Sequence, residues 1–344
     1  MGFIITGFAT SGSVEESYSF YYESSPSAVE TLSLSADIGA IDIKYNTSAT
    51  PYLAKVDVDL KVSGLFVAGR KYTAFFTPYT GWWQNSTPPT SFDMKILPGA
   101  WFDPSHWFKS YNVDIMVTLR TDVVYNIDVT AGTGSLKLTT SDDVILDGVS
   151  MKSGTGNVEL DLSNNTQILT ELALETGTGN VNMFSEGTNF THGVFAETGT
   201  GTLDINFTDC ILGGDIDAST GTGNVNLKTY NMEYSVTSYW LLETGTGKIT
   251  LVITQDAGMT SNVTGDIKTG TGNIDITYID TISTVGARFY GATGTGSFNR
   301  INTQGFTQTS SNPFDSDDFL TSTTNYDFNL DTGTGNIFVD GSSV

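Results

Sequence analysis

Nine copies of a Gly-Thr-Gly turn recur along the chain, with first glycines at Gly132, Gly154, Gly177, Gly199, Gly221, Gly245, Gly270, Gly294 and Gly333. The intervals are 22, 23, 22, 22, 24, 25, 24 and 39 residues. Near-constant spacing with one jump is what coils of similar circumference give when they are stacked, with an insertion before the last. After each turn the residues alternate with period two: Val158/Leu160, Leu203/Ile205 and Ile274/Ile276 are apolar and polar residues mostly separate them. Before most turns a second run behaves likewise, as in Leu172/Leu174, Ile216/Ala218 and Phe328/Leu330. These are half-buried strands, at least two per repeat.

The pattern predicts an all-β chain: a parallel β-solenoid (β-helix) of about nine to ten rungs, with a β-rich insertion near the N-terminal end. Nine rungs at ~4.8 Å would span about 43 Å. One rung cannot bury its own apolar face, whereas a stack buries a continuous interior. The nine turn glycines are therefore read as architecture: a corner repeated at this spacing needs φ > 0 or close backbone approach. They lack the lysine and the strand-to-helix context of a phosphate loop. One rung breaks the pattern, because Arg300 follows Phe298 and Asn299 where an aliphatic residue is expected. The expectation is a bulge that turns Ile301 inward; pairing of Arg300 with an acid is the alternative.

Four segments follow. Residues 1–29 read as a capping or donated strand, and the apolar run at the start is far shorter than the ~20 residues of a membrane span. Residues 30–45 hold a degenerate rung around Gly39, residues 46–120 a Trp-rich β insertion or cap, and residues 121–344 the solenoid repeats with a loop at 302–325. That loop is expected to be exposed. Its Asp315, Asp317 and Asp318 lack the glycine and final glutamate of an ordered calcium loop, so no metal is assigned there.

Acidic residues outnumber basic ones 38 to 15, a net charge of −23, which sets the surface against phosphate backbones and anionic headgroups. Nucleic acid is thereby excluded as a partner. Cys210 stands alone and is read as a small buried residue in a strand. Six Asn-x-Ser/Thr sequons, at Asn46, Asn85, Asn164, Asn189, Asn206 and Asn262, fit a glycosylated surface protein.

The run Ile127-Asp-Val-Thr-Ala-Gly-Thr-Gly-Ser-Leu-Lys-Leu138, then Met151-Lys-Ser-Gly-Thr-Gly-Asn-Val-Glu-Leu160, resembles the prokaryotic adhesin-type β-solenoid domains, a family named for a suggested adhesive role. The resemblance covers roughly residues 30–45 and 113–344, and the Trp-rich insertion departs from it. It implies a cell-envelope or secreted β-solenoid with no established catalytic residues.

An enzyme is not expected. His106 and His192 lie in unrelated contexts, and Glu175, Glu197 and Glu243 share their turn-proximal column with Lys152 and Lys268, as cross-rung pairing would have it. No cofactor is implied. The expected role is an extracellular or cell-surface structural or adhesive protein that associates with itself or with other surface proteins, as a subunit of a filament or surface layer. Two further readings stay open. Thr-x-Thr pairs such as Thr176/Thr178 and Thr198/Thr200 resemble the threonine arrays of ice-binding solenoids. Trp82, Trp83, Trp101 and Trp107 offer aromatic faces for a glycan or a partner, against burial over the solenoid end.

Overall fold

The computed structural model describes residues 11–23, 26, 28–46, 51–65, 67–84, 90–97, 109–306 and 312–343. The chain is all-β, built from large, mostly parallel sheets, with no closed barrel among the described residues.

Each Thr-Gly-Thr-Gly turn joins a strand of one sheet to a strand of the other. In the first sheet Leu136–Thr139, Val158–Leu162, Val181–Glu186, Leu203–Thr208, Val225–Tyr230, Ile249–Gln255 and Ile274–Asp280 pair in parallel, in that order. In the second, Tyr125–Thr133, Ile145–Thr155, Leu172–Thr178, Val194–Thr200, Ile216–Thr222, Ser238–Thr246 and Val263–Thr271 do the same. A short third ladder runs through Gln167–Ile168, Asn189–Phe190, Ile211–Leu212 and Glu233–Tyr234. Register is kept residue for residue: Leu174 pairs with Ala196, Ala196 with Ala218 and Ala218 with Leu242, and all four are buried. Inward side chains thus stack on inward side chains, and a continuous core results.

The two glycines of a turn do different work. A Cβ on Gly199 would sit 2.6 Å from the carbonyl oxygen of Gly177 in the preceding unit, so the first glycine is required by close approach. Gly201 has φ of +153°, and a Cβ there would come within 1.8 Å of the Gly179 oxygen, so the second needs both the conformation and the space. Gly39 has φ of +129° and donates its N–H to the carbonyl of Thr133, which puts the segment Glu30–Asn46 in register with the turn at Gly132.

Beyond Glu30–Asn46 lies the N-terminal cover. Lys109–Arg120 pairs in parallel with Ala40–Asn46, and Ala54–Leu65 and Ser11–Tyr22 then add antiparallel. Thr90–Met94 extends the other sheet. The strand at 11–22 is thus an edge strand within its own chain, while residues 1–10 lie outside the described residues.

Three expectations need correction at the other end. The last unit in sequence is not the last in space: Thr324–Thr334 and Ile337–Ser342 are slotted between 263–280 on one side and Val285–Thr295 with Phe298–Gln304 on the other. The strand at Phe298–Gln304 does carry a bulge between Arg300 and Thr303, but Ile301 does not turn inward and is 64% exposed. The terminal strand has no further unit to stack against it, so the alternation loses its constraint there, and Arg300 lies over the Phe314 ring. The loop expected to be exposed is buried in part: residues 302–304 and Leu320 are exposed, but Phe314 and Asp315 form a short antiparallel strand against Phe289 and Arg288, and Asp315, Ser316 and Asp318 are buried. Cys210 is buried as expected, but it lies just ahead of the strand Ile211–Leu212, not within a strand.

Candidate functional site

Of the tryptophans singled out from the sequence, the two among the described residues do not form a surface. Trp82 is 1% exposed; its indole N–H donates to Thr77 Oγ1 at 2.9 Å, and the rings of Tyr18, Tyr72, Phe76 and Phe92 pack around it. Trp83 is half-buried and stacks on Phe20. Both rings close the N-terminal end of the core. Trp101 and Trp107 lie outside the described residues, as do His106 and Asn85.

Of the remaining sequons, Asn164 and Asn262 are exposed, whereas Asn46, Asn189 and Asn206 sit half-buried in strands. The Asn164 triplet ends in Thr166, which is buried against Thr140, and Asn262 Oδ1 accepts the Asn325 N–H at 2.9 Å.

The threonine pairs separate into an inner and an outer rank. Thr176, Thr198, Thr220, Thr244, Thr269 and Thr332 are buried, and each donates its hydroxyl to the second-glycine carbonyl of the preceding unit in space, for example Thr198 to Gly179 at 2.9 Å. Thr178, Thr200 and Thr222 remain outside. One rank is therefore spent on joining units, and two ranks of water-facing hydroxyls do not form. Asp315 is likewise used internally: Arg288 holds its two oxygens at 3.1 and 3.2 Å. The acidic column pairs across units, with Lys152 bridging to Glu175, while Lys268 turns instead to Asp266 at 2.6 Å.

A different place gathers chemistry. Where the chain passes from the short ladder to the long one, three successive units leave a groove of about 420 Å³. Glycine shapes it: a Cβ on Gly193 would stand 2.5 Å from the carbonyl oxygen of Asp215, so this corner has no room for side chains and the surface is indented. Phe195 supplies the accessible apolar face above the buried Leu172 and Val194, and Thr170, Glu171, His192, Asp215 and Asp217 supply polar groups. His192 Nδ1 lies 3.1 Å from the carbonyl oxygen of Leu169. A carbonyl only accepts, so Nδ1 is the donor in this bond. Asp215 Oδ1 accepts the N–H of Tyr239 at 2.7 Å, tying one acid into the next unit.

Asp217 stands on the outer face between Phe195 and Leu241, its partners in register. Burial between them raises its carboxyl pKa above the ordinary value, and the charges of Glu243 and Glu197 add to the rise. The groove therefore combines an aromatic face with several acceptors, and no lysine or arginine lines it. The sequence signal that could have found it is Phe195 itself, a large apolar residue at the outward position of a strand whose inward residues are Val194 and Ala196.

No family model matches the chain, and no curated protein matches it. Among solved structures, a crystal structure of a Clostridium sporogenes protein named for a suggested role in cell adhesion is similar at 12% identity, covering 95% of this chain and 99% of that one, with a TM-score of 0.25. An overlap of that quality leaves both the fold and the function to be argued from this chain's own residues.

Proposed function

We propose that the chain is an extracellular or cell-surface structural and adhesive protein without catalytic activity, built as a parallel β-solenoid of nine to ten rungs. The observation that carries this reading is the inter-unit bonding. Successive units are tied by backbone ladders and by the buried threonine hydroxyls, which spends the repeat on rigidity and leaves the outward positions as the variable surface. A large negative charge favours solubility and spacing on a crowded surface. The edge strand Phe298–Gln304 of the first sheet is bulged and carries Arg300, which suits display of single spikes better than growth by strand addition there.

Electron microscopy of native cells with an antibody against residues 130–280 is the test. Label on the outer surface of intact cells is expected, and label confined to the cytoplasm would overturn the reading. The glycan-binding alternative predicts selective signals on a glycan array.

A further inference from the structure

Resting on that surface reading and going beyond it, we propose that the groove around Phe195 docks a basic segment of a partner protein, seating one arginine or lysine side chain. The apolar stem of such a side chain would lie along the outward ring of Phe195, and its cationic head would meet Glu171 and Asp217.

Three observations select this occupant. First, the wall is apolar and aromatic while its polar groups are carboxylates, a hydroxyl and a histidine, so the lining complements a cation on an aliphatic stem. Second, Asp217 is held between Phe195 and Leu241 within reach of the charges of Glu197 and Glu243, and no lysine or arginine lines the groove; an arriving guanidinium or ammonium would offset that repulsion. Third, charge rules out a second copy of the chain as the general partner, because 38 acids against 15 bases would bring negative surface to negative surface. A phosphate-, sulfate- or carboxylate-bearing ligand meets the same obstacle. A neutral sugar would use the aromatic face but would leave the carboxylates without a counter-charge.

The test uses the whole chain and isothermal titration with a short Gly-Ser peptide carrying three arginines, beside the same peptide with glutamine in their place. Binding of the arginine peptide is expected to weaken between about 0.05 and about 0.3 M salt, as screening of a charge contact requires. It is expected to fall about tenfold or more in Phe195→Ser and in the double variant Glu171→Gln, Asp217→Asn, a loss of roughly 1.4 kcal/mol or more. Phe195→Tyr, which keeps the ring, should retain binding. The control is a second groove, on the N-terminal cover, whose acids Glu15, Glu16, Asp59 and Asp114 stand beside Lys61. Glu15→Gln with Asp59→Asn should leave binding unchanged. Equal loss in that control would reduce the effect to net charge and overturn the proposal, as would equal binding of the glutamine peptide. Preferential binding of a neutral disaccharide such as maltose, lost in Phe195→Ser, would overturn it in favour of a sugar. If Phe195→Ser melts early, the carboxylate variant and Phe195→Tyr still decide. Peptide binding and surface labelling are separate readouts, so the groove can fail while the surface location stands, and the reverse.

Discussion

The carbonyl oxygen of Gly179 has two neighbours that define a turn: the hydroxyl of Thr198 at 2.9 Å and the bare Cα of Gly201. A methyl at 201 would have to occupy the space of that oxygen and adopt a φ that L residues avoid, so Gly201→Ala is expected to cost about 3 kcal/mol or more in urea unfolding. Thr198→Val keeps the shape but removes one bond to a buried carbonyl, and a loss of about 1–2 kcal/mol is expected in the same assay. Contrast between the two variants would separate backbone geometry from hydrogen bonding. Asp217 gives the pH-dependent case. Its carboxyl pKa is raised in the folded state, so the folded chain holds the proton more tightly than the unfolded one. Any advantage is full below the ordinary aspartate value and is lost as pH rises through the raised value. Asp217→Asn is therefore expected to match the parent in acid and to melt higher at neutral pH, which a pair of thermal scans would check.

Elements stack by shape as much as by order in the chain. The units at 285–304 and 324–342 carry the same Thr-Gly-Thr-Gly turn, yet it is the later one that sits on 263–280. Gly265 pairs with Trp240 on one side and Phe328 on the other, and the two rings meet across it at 5.5 Å. One step away Tyr326 reaches Gln255 Oε1 at 3.2 Å and the Tyr234 hydroxyl at 3.3 Å, a role that Ala287, its counterpart in the earlier unit, cannot fill. Asn336 completes the seat: its N–H donates to Asn273 Oδ1 at 2.9 Å, and its own Oδ1 accepts from Ser297 at 3.1 Å. The unit at 285–304 thus rests on the later one. Removing residues 324–344 is expected to strip hydrogen-exchange protection from 285–304 while amides between 150 and 230 stay protected, because units depend mainly on their immediate neighbours.

The whole molecule has a core that changes character along its length. The middle is aliphatic, with Met183, Ile205, Leu227 and Leu251 in one ladder. Towards the end described last, aromatic rings take over, and burial pushes the hydroxyls of Tyr234, Tyr278 and Tyr326 far above the ordinary phenol value. The folded state keeps these protons, so its stability from them is complete below about pH 10 and is lost as pH rises beyond it. In an absorbance titration these three phenols are expected to stay silent until the chain unfolds, and to appear together in a steep alkaline transition. A gradual, reversible titration of all tyrosines would contradict the burial of this cluster.

Nine turns at near-constant spacing, flanked by period-two alternation, are local properties of the chain, and they were enough to set strand positions, inward residues and the parallel pairing of neighbours. Glycine alone fits the corner, and alternation alone decides which side chains face in, so both are written in sequence. The fate of Trp82, the burial of the loop at Asp315 and the seat of the unit at 324–342 were not legible, because each depends on which surface another segment leaves open. The groove at Phe195 belongs with these. Its residues come from three units, and only the stacking of Gly193 on Asp215 brings Glu171, His192 and Asp217 to one opening. A repeat specifies its own turn, whereas order among similar repeats and any site spanning them are settled by packing between side chains far apart in the chain.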